Sequence, residues 1–224
     1  MKAPKVIKGK DGATYILGDV GVEVGQFQVR VGKKIVAETE AFDSFEFGMT
    51  RLGELLTHAT SVENHLVKTT ISQLAIVALA SLLEAYGKKR MAELEAQDKV
   101  RSWDAILNGT HYTLENLKTL AKENARSPIE QLLEERKLNL NDLNEFGRLF
   151  EQGFAMKISD LDRSDIYRII ELRHKIVHGG LKAEILYDAK EGKPPVFALP
   201  ETARGYMNKT KDFVGSVHER TLGN

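Results

Sequence analysis

Cysteine is absent from the 224 residues. Its absence excludes disulfides, thiol nucleophiles and Cys-ligated zinc, and it fits a reducing compartment. An excess of one charge is also missing, since 32 Lys and Arg balance 32 Asp and Glu. The whole-chain field therefore gives no attraction for nucleic acid, and any such contact needs a local basic patch. Long hydrophobic runs are lacking too. The longest nearly uncharged stretch, residues 69–83, carries Thr, Ser and Gln and falls short of the roughly 20 apolar residues a membrane span needs. The opening MKAPKVIKGKDG has no apolar segment, which predicts no secretory signal and a cytoplasmic protein without a membrane partner. No glycine-rich phosphate loop is present: Gly18, Gly21 and Gly25 lie among predicted strands, with no Walker lysine or following helix. Nor is there a serine-centred nucleophile elbow. No cofactor is implied.

What is present divides at residue 42. Residues 1–42 hold β-branched residues alternating with polar ones, and residues 14–17, 21–24, 27–31 and 34–38 read as short strands. Gly32-Lys33 fits a tight turn, so a small antiparallel meander is expected. From residue 43 to 224 the period becomes helical. Residues 45–64 place Phe45, Met49, Leu52, Leu55, Leu56 and Ala59 at spacings of three and four. Residues 67–99 have a centre apolar nearly all round, as a central core helix requires, with Gly87 expected to bend or loosen it and KKRMAELEAQDK expected to be solvated. One or two shorter helices are predicted within 102–126. Ser127, Pro128 and Glu130 form a possible capping box that opens the next helix. Residues 141–154 put Leu143, Phe146, Leu149 and Phe150 on one face. Ser164 is placed to cap a helix running to His178, which Gly179-Gly180 stops. Residues 183–188 and 196–199 read as a β-hairpin, and Pro200 opens a last helix. The fold class is all-α: a bundle of five or more helices with a small N-terminal β meander and a β-hairpin before the last helix.

The helix ending at His178 carries the chemistry. Ile166, Ile169, Ile170, Ile176 and Val177 read as its buried stripe, and Arg173 lies four residues from both Ile169 and Val177. A charge on the apolar side is costly unless it is partnered or at an opening. Glu171, His174 and His178 fall on another face. His178 sits in the last turn, where the helix dipole favours imidazolium, and an imidazole there can give or take protons near neutral pH.

Arg173-His-Lys-Ile-Val-His178 resembles the R-x4-H signature of HEPN domains, in which a polar residue usually follows the arginine; here it is His174, where Asn is more common. Upstream, ALASLLEAYGKKR (residues 78–90) is similar to an early HEPN helix in which an apolar run leads to an acid, here Glu84, followed by an aromatic, here Tyr86. The likeness follows helix order over residues 45–220 and is specific over about 25 of them. It implies a HEPN-like bundle that forms a homodimer, with two R-x4-H helices meeting in a composite cleft. It also implies metal-independent endoribonuclease activity on RNA, of the kind found in toxin–antitoxin and anti-phage systems with an antitoxin or other protein partner. Other members are non-catalytic binding or scaffold modules for protein or nucleotide interactions. On this reading Arg173 and His178 are catalytic, and His174 and Glu84 support them.

Blander readings stand beside these. His178 can cap the last carbonyls of its helix. Arg173 can form an ion pair with Glu84 or Glu171, which would make Glu84 an orienting partner. Glu171, His174 and His178 can bind a divalent metal on one helical face, although no other histidine is placed by sequence to complete the set, and no metal is expected. Lys88, Lys89 and Arg90 read as a solvated face rather than a phosphate contact. His58, His65, His111 and His218 lie in ordinary amphipathic contexts.

Overall fold

The computed structural model describes residues 5–8, 14–17, 39–179 and 199–222. The chain divides into two compact units, Met1–Ile35 and Val36–Asn224. In the first, β1 (Lys5–Lys8) pairs antiparallel with β2 (Thr14–Leu17), Lys5 opposite Leu17 and Lys8 opposite Thr14. β2 falls where the alternation predicts a strand, whereas β1 had no such signal. The strands expected over 21–38 lie outside the described residues.

The helical body begins where the Thr39 hydroxyl accepts the Phe42 N–H and starts α1 (Glu40–Ser61). Asn64 caps α2 (His65–Ala96) in the same way, taking the N–H groups of Leu66 and Val67. Such caps satisfy amides that have no partner inside the helix. Three short helices follow: α3 (Trp103–Leu107), α4 (Leu114–Glu123) and α5 (Pro128–Glu134). The predicted capping box at Ser127 and Glu130 forms in full, with Pro128 in the first turn. The helix expected over 141–154 is split: α6 (Leu143–Arg148) runs into a π-helical turn, Leu149–Gly153. α7 (Ser164–Gly179) and α8 (Pro200–Leu222) complete the body. Ser164 does not cap α7 with its own oxygen; its hydroxyl and N–H both donate to Asp162 Oδ1. The hairpin expected over 183–199 lies outside the described residues, apart from Leu199.

α2 is the axis of the body. α1, α7 and α8 all pack on it. By length and composition it is the one helix among the described residues apolar enough to cross a membrane. Much of that apolar surface, including Ile76, Leu79, Leu83 and Met91, is buried in the core with Phe45, Leu56, Phe146, Ile169 and Val217. The single core is mostly helical and all-α in class.

α2 continues unbroken through Gly87 to Ala96. A Cβ at Gly87 would lie 2.8 Å from the Phe146 ring and 3.2 Å from Leu140, so the glycine lets the 138–146 segment approach the helix closely. Arg90 is also unlike its expected solvated state. It is fully buried, and it bonds Thr221 at the end of α8 and Glu93 on its own helix. His218 is buried as well, stacked on Phe42 at 4.2 Å and 3.4 Å from the Tyr86 hydroxyl. Burial pushes the Tyr86 phenol up from its ordinary value.

Candidate functional site

α7 sets the site by how its residues divide around the axis. Ile166, Ile169, Leu172 and Ile176 are buried, and this stripe holds the helix against the core. Val177 does not join it, being 51% exposed, because Ile176 takes the last core position. Tyr167 is 41% exposed at the other end of the helix, where its hydroxyl donates to Asn144 Oδ1 at 2.7 Å.

Arg173 sits at the margin of the buried stripe and is half-buried. Its Nε is shut off from solvent and meets no hydrogen-bond partner among the described residues. An unsatisfied buried donor costs about 1–3 kcal/mol. No ion pair with Glu84 or Glu171 removes that cost. Glu84 instead pairs with Lys88 at 2.5 Å and accepts from Asn141 Nδ2 at 2.7 Å. Glu171 is held between Lys175 at 2.7 Å and Arg168 at 2.8 Å.

Arg173 and Glu84 are coupled through the electrostatic field. Partial burial raises the Glu84 pKa, but the bonds from Lys88 and Asn141 and the charges of Lys88 and Arg173 outweigh it, leaving the carboxyl below its ordinary range. Glu84 therefore stands as an anion within the field of Arg173. Lys88 and Asn141 are its direct partners, and the sequence reading did not assign either to the site. Lys88 is one turn beyond Glu84, so the i,i+4 rule could have found it; Asn141 carries no local signal.

His174 and His178 are exposed and lie ring to ring, with centroids 4.3 Å apart and planes inclined by 50°. Their spacing on one helical face is the spacing expected from the sequence. Among the described residues His178 has no hydrogen bond to the carbonyls of its last turn, so nothing there favours the capping reading. No group of three or more His, Asp and Glu able to hold a metal occurs among the described residues. In the metal alternative considered from sequence, Glu171 is committed to its two cations.

One chain thus offers a half-buried guanidinium, its Nε without a hydrogen-bond partner among the described residues, and two solvent-facing imidazoles at the end of the same helix. His178 lies five positions beyond Arg173, which turns them about 140° apart around the axis. The arrangement can bind an anion and exchange protons, but it presents only one turn-end histidine pair per copy. Comparisons with family models, with curated proteins and with solved structures find no match to this chain.

Proposed function

We propose that this protein is a metal-independent endoribonuclease of HEPN type, acting through a site composed from two copies of α7, and serving as a toxin or in anti-phage defence. The observation that carries the reading is the half-buried Arg173, its Nε unsatisfied, on the same helix as the exposed His174–His178 pair. RNA cleavage by its own 2′-hydroxyl needs a base for the 2′ proton, an acid for the leaving 5′ oxygen and a cation for the phosphorane. The 2′ oxygen forms a bond to phosphorus as the P–O5′ bond breaks, leaving a 2′,3′-cyclic phosphate and a 5′-hydroxyl. His178 from each of two copies supplies base and acid. Arg173, with a planar fork suited to phosphate, supplies the cation. Glu84, held by Lys88 and Asn141, orients Arg173 electrostatically, and His174 supports His178. Exposed Val177 and Tyr167 on the same helix give a second copy apolar surface to cover.

The test is cleavage of mixed RNAs by purified protein in EDTA. Cleavage that leaves cyclic phosphate ends and is lost in His178→Ala supports the reading. A folded, dimeric wild type inert on all of them rejects it.

The exposed Val177 and Tyr167 also favour a second reading, a non-catalytic module that docks a protein along α7. Here wild type has no nuclease activity, and Arg173→Ala and His178→Ala change self-association or partner binding.

A further inference from the structure

Away from α7, the end of α2 and helices α3 to α5 enclose an open groove of about 600 Å³. Ligand sites commonly have volumes of roughly 300–1,000 Å³, so the groove is of a size to take a small organic molecule. Its apolar surface comes from Val100, Pro128 and Trp103, the only tryptophan in the chain. Trp103 is half-buried, with part of its surface left in the groove. Lys118, Lys122 and Arg126 contribute three cations. The two lysines are one turn apart on α4, both exposed, and neither forms an ion pair among the described residues. Arg126 has only a loose pairing with Glu134, at 3.7 Å.

Two acids also line the groove, and they are not equivalent. The Glu95 carboxylate is directed into α5, accepting the Ser127 hydroxyl at 2.5 Å and the Ile129 N–H at 3.2 Å. Burial, reinforced by Glu130 and opposed by those two bonds and by the charge of Lys118, holds its carboxyl above the ordinary range. Asp98, at the end of α2, is exposed and forms no ion pair among the described residues, so it can accept hydrogen bonds from a ligand. The groove thus combines an aromatic face, a cationic wall and one free carboxylate. A ligand matched to all three has a flat ring, an anionic group and hydroxyl or amino donors.

We propose that this groove binds a nucleoside phosphate, its base against Trp103, its phosphate on Lys118, Lys122 and Arg126, and its sugar or base donors on Asp98. Aromatic stacking and charge-assisted bonds to phosphate are each strong enough to be read singly. The site is independent of α7 and of the proposed ribonuclease activity.

Because Trp103 is the only tryptophan, its fluorescence reports the groove alone. The probes are adenosine 5′-monophosphate, adenosine and inorganic phosphate, each titrated into the full chain. The expected result is saturable quenching by the nucleotide, with adenosine binding at least about tenfold more weakly and inorganic phosphate competing without quenching. Lys118→Gln/Lys122→Gln should weaken the nucleotide about tenfold and leave adenosine unchanged, and Lys122→Glu should weaken the nucleotide further. These exposed helical positions keep their fold when changed. An absent or non-saturable signal, equal affinity for nucleotide and adenosine, or unchanged nucleotide affinity in the lysine variants would each overturn the proposal.

Discussion

Arg90 and Glu93, one turn apart on α2, form a 2.8 Å ion pair with the guanidinium fully buried. The pair joins the ends of two other helices. Arg90 donates to the hydroxyl and carbonyl of Thr221 in the last turn of α8. Glu93 accepts the Ala41 N–H in the first turn of α1 at 2.7 Å. Each charge thus meets the helix end of opposite partial charge. Removing one partner of a buried pair leaves the other uncompensated and costs about 3–5 kcal/mol. Arg90→Met is therefore expected to lower the unfolding free energy by about that amount. Glu93→Gln, which retains an acceptor for Ala41, should cost less. Urea denaturation of both variants checks the order; an Arg90→Met protein as stable as wild type would remove the network from the account of this fold.

Gly87 sets two effects against each other. Alanine is favoured over glycine inside a helix by about 1 kcal/mol. A Cβ at this position, however, would lie 2.8 Å from the Phe146 ring, which is itself fully buried. Overpacking a core costs about 1–3 kcal/mol, so the clash should win and Gly87→Ala should destabilise the protein. Gly87→Ala with Phe146→Leu should be more stable than the sum of the single changes implies, because the two sites share the same space. Strict additivity in thermal unfolding would contradict the packing argument.

Local features were readable in the sequence, and distant partners were not. The capping box at Ser127 and Glu130 needs only four residues and forms as expected. The Ile166 and Ile169 stripe and the His174–His178 contact follow from helical spacing alone. Arg90 looked solvated because KKR reads as a charged face; its partner Thr221 is 131 residues away. Asn141 reaches Glu84 across 57 residues with no local mark. Val177 has the spacing of a core residue, but Ile176 fills that place, a competition periodicity cannot resolve at a helix end. The π-helical turn at Leu149–Gly153 interrupts an apolar pattern that suits a continuous helix equally well.

Glu95 gives a pH dependence with a definite sign. Burial is the largest influence on its carboxyl and raises its pKa above the ordinary 4.5, with Glu130 adding to the rise. The folded state therefore holds this proton more tightly than the unfolded chain. The stabilisation is complete below about pH 4.5 and is lost as pH rises through the folded-state value. Glu95→Gln, which cannot titrate, should flatten the stability profile just above pH 4.5 relative to wild type. Denaturation across that range reads the difference, and parallel profiles would mean that Glu95 titrates alike in both states.

Arg173 separates a site residue from a structural one. Its buried Nε has no partner among the described residues, and Glu84, an acid within its field, is engaged by Lys88 and Asn141. A residue kept for stability would be expected to use that donor. An unsatisfied buried donor costs about 1–3 kcal/mol, and part of that should be recovered when an unbranched apolar chain replaces the guanidinium. Arg173→Met should therefore raise the unfolding free energy, by up to about 1 kcal/mol for a half-buried position, while abolishing RNA cleavage. Arg173→Lys keeps the charge but loses the planar fork, so it should retain less than about a tenth of the activity. Stability and cleavage moving in opposite directions would mark Arg173 as retained for function. If Arg173→Met instead loses more than about 1 kcal/mol, the guanidinium supports the fold and its place in the site falls.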